Sequence, residues 1–244
     1  MPVIDFHSHL LPGIDDGSRD ADTSLEILDT AASQGVEWMI ATPHFYASKD
    51  RIESFLARRE DAYERVRECM HSGMPKVLRG AEVAFFPGIS RAEKLDYLTI
   101  ETTDVLLLEL PFDQWSDAVV EEVRYLLEQR HLSVVLAHPE RYLDIPRNKR
   151  KLQRLIEMPV IVQINAGSML DWKRRRKIFR FFCSENSTEM VLGSDCHGMH
   201  RRPPNLAESR ELILKKKGQG FLDRIDQTGS RLLRIGRPDR NTNT

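Results

Sequence analysis

Short apolar runs recur along the chain and alternate with longer stretches whose apolar positions return at helical spacing. The runs are Val3 to Phe6, Val36 to Thr42, Lys76 to Ala81, Val105 to Leu108, Leu132 to Ala137, Val160 to Ile164 and Met190 to Ser194. Between them, helices are expected over Asp22 to Gln34, Asp50 to His71, Ser90 to Leu98, Asp117 to Gln129, Asn148 to Glu157 and Trp172 to Glu185. Leu206 to Lys216 and Gly220 to Ile225 close the fold as two further helices. Near-continuous apolar strands separated by helices predict a parallel sheet with both faces covered, and a closed or nearly closed barrel follows. One domain over residues 1–236 is expected, with 237–244 a flexible tail.

In such barrels chemistry sits where strands end and loops begin. Here each run ends in a polar or ionisable residue: His7 and His9, His44, Glu82, Glu109, His138, Asn165, and Asp195 with His197. Side chains alternate along a strand, so His7 and His9 share a face with Asp5 and can grip one ion together. Asp15-Asp16-Gly17 then turns a carboxylate back over that strand's end. Parity extends the pattern: Leu78, Gly80 and Glu82 fall on one face, as do Val105, Leu107 and Glu109, and Val134, Leu136 and His138. Taken singly, a histidine before a proline or a glutamate after a strand is an ordinary loop residue. Their shared position at strand ends argues for one site.

Composition narrows the function. The 244 residues carry a formal net charge of -1, with 30% charged and 41% hydrophobic positions, which gives no electrostatic case for nucleic-acid binding. No apolar run approaches the roughly 20 residues of a membrane span, and Met-Pro-Val-Ile-Asp lacks the features of a signal peptide, so a cytoplasmic protein without a transmembrane segment is expected. Cys69, Cys183 and Cys196 form no disulfide framework and suit a reducing compartment.

Histidine and carboxylate ligands without a thiolate cluster suit zinc, manganese or iron, and their number exceeds what one ion can use. Two or three ions are implied. Four carboxylates, Asp16, Glu82, Glu109 and Asp195, set against three divalent cations leave a positive excess if the histidines bind neutral, which favours an anionic substrate. A hydroxide bridging two ions would attack a phosphoester directly, without a covalent enzyme intermediate. Arg141 and Arg202 lie just beyond ligands, and a guanidinium fork matches a phosphoryl group, although arginines are mostly surface residues. Gln163 and Asn165 would contact substrate or support the ligands from behind.

The set His7-Ser8-His9, Asp15-Asp16-Gly17, Thr42-Pro43-His44, Gly80-Ala81-Glu82, Leu108-Glu109, Ala137-His138-Pro139-Glu140-Arg141-Tyr142, Gln163-Ile164-Asn165 and Ser194-Asp195-Cys196-His197 with Arg202-Pro203-Pro204 resembles the PHP (polymerase and histidinol phosphatase) superfamily. More narrowly, it resembles the bacterial metal-dependent protein-tyrosine phosphatases encoded with capsular and extracellular polysaccharide machinery. The resemblance implies an α/β fold, a distorted seven-stranded (β/α) barrel of TIM-barrel-like type, and a centre of three divalent ions. One ion would take His7, His9, Glu82 and Asp195; a second would share Glu82 and add Glu109 and His138; the third would take Asp16, His44 and His197. Arg141 and Arg202 match phosphate-binding positions and, with Asp16, His44 and His197, are the candidate catalytic residues. Manganese is the implied metal, with zinc or iron allowed by ligand type. The implied substrate is phosphotyrosine on the tail of a membrane-associated tyrosine kinase that drives polysaccharide export. A homo-oligomer is compatible with this reading.

Competing readings are a small-molecule phosphomonoesterase such as histidinol phosphatase, a nucleic-acid phosphodiesterase, and a non-catalytic metal-stabilised kinase adaptor. Cys196 and Arg202 have the C-x5-R spacing of cysteine-dependent tyrosine phosphatases, but no glycine-rich loop lies between them to lower the thiol pKa. The run Trp172 to Arg180 reads as the solvated face of an amphipathic helix with Ile178, Phe179 and Phe182 inward, or else as a contact for an acidic kinase tail or an anionic membrane. Phe45 and Tyr46 are candidates to line a phosphotyrosine pocket. Phe85, Phe86, Phe112 and Trp115 read as core or loop packing.

Overall fold

The computed structural model describes residues 1–183 and 188–235. The chain opens with β1 (Ile4–Ser8), α1 (Ala21–Ser33), β2 (Trp38–Ala41), β3 (His44–Phe45) and α2 (Ile52–Arg67). It continues through β4 (Lys76–Arg79), β5 (Glu82–Ala84), β6 (Val105–Glu109), α3 (Asp117–Glu128) and β7 (Ser133–Ala137) to a 3-10 helix over Pro139–Asp144. Then follow α4 (Asn148–Ile156), β8 (Ile161–Asn165), α5 (Ala166–Leu170), α6 (Trp172–Phe182), β9 (Met190–Gly193), α7 (Leu206–Lys217) and α8 (Gln219–Leu232). The expected tail at 237–244 and the expected end of the sixth helix at Glu185 lie outside the described residues.

All strand pairs are parallel, but they form two sheets: β1-β2-β4, and β3-β5-β6-β7-β8-β9. The second and third apolar runs form β2 and β4, and each is followed by a further short strand, β3 and β5. Pro43, between β2 and β3, has no N–H to donate to a ladder. Gly80, between β4 and β5, packs so closely that a Cβ there would lie 3.2 Å from Ile100 Cγ1. β2 and β4 pair towards β1, and β3 and β5 towards β6, which carries His44 and Glu82 into register as direct neighbours. The sheets do not close into one hydrogen-bonded ring. At the remaining gap, β1 and the end of β9 meet through a parallel bridge between Ser8 and Cys196, with backbone bonds from Asp195 N to His7 O (2.8 Å) and from His9 N to Cys196 O (2.9 Å).

The apolar core divides in the same way. An outer layer lies between the strands and the helices, with Leu106, Leu108, Val134, Leu136, Val162 and Leu192 facing α-helical partners. An inner cluster collects Ile4, Phe6, Ile40, Val105, Leu107, Val135, Ala137, Ile161 and Val191, and Leu232 and Leu233 from the end of α8 cover it. The polar strand ends sit above this inner cluster.

Three local expectations need correction. Ser90 to Leu98 is not one helix but two short 3-10 segments, Ile89–Arg91 and Leu95–Leu98, separated by Ala92 in extended backbone. α5 is an additional element, because Gly167, its second residue, reads as a loop residue. α8 runs well past Ile225, to Leu232.

Candidate metal centre

Nine side chains converge on the floor formed by the inner cluster. His7 Nε2 lies 3.1 Å from His9 Nε2, 3.2 Å from Glu82 Oε2 and 3.7 Å from Asp195 Oδ1. His9 Nε2 is 3.3 Å from Glu82 Oε2 and 3.4 Å from Asp195 Oδ1. On one side, His138 Nε2 stands 2.8 Å from Glu82 Oε1 and 3.5 Å from Glu109 Oε1. On the other, Asp16 Oδ1 is 3.5 Å from His44 Nε2 and 3.4 Å from His197 Nε2. Glu82 is thus the common carboxylate, since its Oε2 is also 2.9 Å from His44 Nδ1.

The donor chemistry fits divalent cations. Glu82 Oε2, His44 Nδ1, His138 Nδ1 and His197 Nε2 are buried without a hydrogen-bond partner; the short His44–Glu82 approach lacks hydrogen-bond geometry. Unpartnered buried nitrogen and oxygen atoms cost free energy unless something charged binds between them. Groups of three or four potential ligand atoms, among them those of His9, Asp16, His44 and His197, and of His7, Glu82 and His138, lie close enough together to share an ion.

Electrostatics agree. Burial disfavours charge on His7, but Glu82 and Asp195 outweigh it and hold the imidazole above its ordinary value. Burial works against His9 in the same way, yet Asp15, Asp195 and Glu82 hold it well above. Glu82 and Asp195 are kept ionised against burial by the histidines around them. Burial and the neighbouring Glu82 charge push Glu109 up to about 7, and burial drives His138 and His197 down to about 4. The centre therefore holds clustered carboxylate charge that calls for cations.

Arg141 and Arg202 approach from the rim and meet at one carboxylate. Arg141 Nη2 bonds Asp195 Oδ2, and Arg202 Nη1 reaches the same oxygen at 3.0 Å. Both remain partly open to solvent, and Arg202 Nη2 also lies 3.9 Å from Asp16 Oδ2.

Residues 3–233 match the model of a family described as capsular polysaccharide synthesis, CpsB/CapC. The chain belongs to the CpsB/CapC family. The tyrosine-protein phosphatase YwqE of Bacillus subtilis is 29% identical over 235 residues, covering 95% of this chain and 92% of that relative. A solved structure from work on YwqE of Bacillus subtilis and CpsB of Streptococcus pneumoniae, described as unique metal-dependent tyrosine phosphatases, shares the fold with a TM-score of 0.79 at 24% identity over 95% of this chain and 94% of that one. The phosphotriesterase homology protein of Escherichia coli, solved with phosphate in its active site, shares the fold more distantly, with a TM-score of 0.58 at 13% identity over 95% and 98% of the two chains.

Within this CpsB/CapC site, several residues play parts that parity alone misassigns. Val134 and Leu136 face the outer layer, so His138 does not continue their face; it enters the site because its backbone turns left-handed, at φ 32° and ψ 53°. Asp195 also has positive φ, at 53°. Asp5 does not join the ligand group: its Oδ1 accepts from Ser194 N at 2.8 Å and His7 N at 3.3 Å, tying β1 to β9. β1 does not alternate simply, since Phe6 joins the inner cluster while His7 reaches the centre, and its register shifts between Asp5 and Ser8.

Asp15 is a ligand support. Its Oδ2 accepts from His9 Nδ1 at 2.7 Å and from His44 N at 2.9 Å, and its Oδ1 accepts from Gly17 N at 2.9 Å. Gln163 and Asn165 likewise bond protein groups. Phe45 cannot line a pocket, because it is fully buried against Phe55. Tyr46 remains beside His44, with ring centroids 5.3 Å apart. Phe112, expected to pack away, is 52% exposed and lies nearly parallel to the His138 ring at 6.1 Å. Phe85 and Phe86 are partly buried and Trp115 is buried, in keeping with packing roles. Cys196 is completely buried, and burial pushes its thiol far up, which removes it as a nucleophile.

Proposed function

We propose that this chain is a metal-dependent protein-tyrosine phosphatase acting on a tyrosine kinase that controls capsular or extracellular polysaccharide synthesis. The observation that carries the proposal is the sharing of Glu82 by His7, His9, His44 and His138, with Arg141 and Arg202 converging on Asp195 beside it. The relatives are named as tyrosine phosphatases, which weighs for this reading over a histidinol phosphatase or a non-catalytic adaptor.

His7, His9, Glu82 and Asp195 would hold one ion, Glu82, Glu109 and His138 a second, and Asp16, His44 and His197 a third. Manganese is the proposed metal, with zinc or iron as alternatives. When bound, the ions supply Lewis-acid stabilisation of phosphoryl charge and activate water near neutral pH. The chain's own residues do the rest. Arg141 and Arg202 take the phosphoryl oxygens with their remaining N–H groups while one of each stays on Asp195. Asp15 and Gln163 fix the imidazoles of His9 and His7, so the reacting centre needs little reorganisation. The closed apolar floor keeps bulk water from reaching the ligands from below.

The two sheets read together as one distorted seven-stranded barrel, β2 with β3 and β4 with β5 each counting once. No described helix is long and apolar enough to cross a membrane, and a cytoplasmic enzyme meeting the tail of a membrane-associated kinase is the setting we propose.

The test is hydrolysis of a phosphotyrosine peptide before chelation, after it, and after return of manganese, zinc or iron. Activity should vanish with the metal and return with it. Turnover that survives complete metal removal overturns the proposal.

A further inference from the structure

Although the chain as a whole has a net charge of -1, its positive charge is gathered. Eleven of its 36 lysines and arginines fall within residues 147–154 and 172–180, stretches that contain no aspartate or glutamate. These stretches form α4 and the front of α6, which both pack on the 3-10 helix Pro139–Asp144. That helix links them to the centre. It carries Arg141, and three residues further on Asp144 bonds Lys177 of α6. Three residues span roughly 10 Å at most, so the basic face begins at the rim of the phosphate-binding side.

Most of this charge is not used inside the protein. Arg154 pairs with Asp117 and Lys177 with Asp144, but Arg147, Arg150, Lys151, Lys173, Arg174 and Arg176 have no ion-pair partner among the described residues. Arg147, Arg150, Lys151 and Arg154 line a cleft of about 570 Å³ with Asp117 as its only carboxylate. Arg147 is also the residue before α4, in left-handed backbone, and no side chain caps that helix. A solvated face would intersperse both signs evenly; on this one cations far outnumber the carboxylates Asp117, Asp144 and Asp171, next to the proposed phosphate-binding side.

Resting on the proposed phosphatase activity, we infer that α4 and α6 form a docking surface for an acidic peptide segment continuous with the phosphotyrosine that enters the centre. Charge complementarity fixes the occupant. Carboxylates or further phosphates flanking the reacting residue meet the unpaired cations while its own phosphoryl group reaches Arg141 and Arg202. Such a surface acts on encounter and on ground-state binding, so it sets KM and leaves kcat alone.

Two variants separate the parts: Arg147→Glu/Arg150→Glu/Lys151→Glu on α4 and Lys173→Glu/Arg174→Glu/Arg176→Glu on α6. A fluorescein-labelled, unphosphorylated glutamate-rich peptide, followed by anisotropy, should bind each variant about tenfold more weakly than the unaltered protein, and binding should weaken with salt. With a phosphotyrosine peptide of acidic flanks, KM should rise with kcat unchanged, whereas turnover of 4-nitrophenyl phosphate should not move and reports that the variants are folded. Equal peptide binding in all three proteins overturns the inference, as does binding of the unaltered protein to phosphatidylserine vesicles but not to the peptide. If no phosphotyrosine peptide is hydrolysed, the phosphatase reading falls, and the anisotropy measurement still decides the surface on its own.

Discussion

Gln163 Oε1 accepts a hydrogen bond from His7 Nδ1 at 2.8 Å, and the direction of that bond is settled from the far end of a chain of contacts. Asp195 is an ionised carboxylate and only accepts, so Asn165 must turn its amide nitrogen towards it, at 2.8 Å. Asn165 Oδ1 then accepts from Gln163 Nε2 at 2.8 Å, which leaves Gln163 Oε1 to receive both His7 Nδ1 and His138 N. In its neutral form His7 therefore carries its hydrogen on Nδ1 and presents a bare Nε2 to the centre.

Gln163→Ala breaks that relay without touching a ligand atom. Supports of this kind are worth about 10- to 100-fold in metal affinity, so manganese titration by calorimetry should show a weakening of that order with the fold retained by circular dichroism. Unchanged affinity would mean that packing alone orients His7.

Stability should depend on pH differently with and without metal. His7 and His9 are raised above, and Glu109 is raised to about 7, so in chelated protein each binds its proton more tightly folded than unfolded. Their contributions are present at the low end and are lost as pH climbs through the folded values, so the chelated protein's Tm should fall as pH rises above about 6.5, the ordinary histidine value. Cations compete for the same lone pairs, so metal affinity should rise over that range and the loaded protein should not show the fall. A Tm that climbs with pH in the chelated protein contradicts this assignment.

Cys196→Ser should leave turnover with saturating manganese within about twofold of the unaltered protein, since the buried thiol is far from ionising. Abolished turnover with metal still bound would instead install a thiolate mechanism.

Phe112 offers an exposed aromatic face beside His138, on the open side of the centre. Aromatic contacts contribute about 0.5 to 1.5 kcal/mol beyond area, so Phe112→Ala should raise KM for a phosphotyrosine peptide by up to about tenfold and leave a non-aromatic phosphoester unaffected. Equal effects on both substrates would make Phe112 a packing residue.

The ring of ligands was legible in the sequence because each follows an apolar run, and that holds whatever the local geometry. Orientation was less so. Alternation placed His138 with Val134 and Leu136, and only its left-handed backbone, invisible in a histidine's identity, reverses that. Asp15 and Asp16 are equivalent in sequence; which one supports and which one faces the cluster depends on where the Asp15–Gly17 turn meets His44 N. Phe112 and Phe45 were exchanged for a similar reason, since an aromatic residue beside a ligand carries no mark of whether it points to α2 or to solvent. The single parallel sheet is also too simple, because the chain resumes as a strand beyond Pro43 and beyond Gly80, and β3 and β5 pair in a different sheet from β2 and β4.

The gap between β1 and β9 has only a few backbone links, yet it is spanned by one of the ligand groups: His7 and His9 stand on one lip and Asp195 on the other. An ion seated there would act as a clasp across the seam of the fold. Loading the enzyme and shutting its wall would then be a single event, so the same cations that serve the chemistry would decide whether the chain has a finished active face at all.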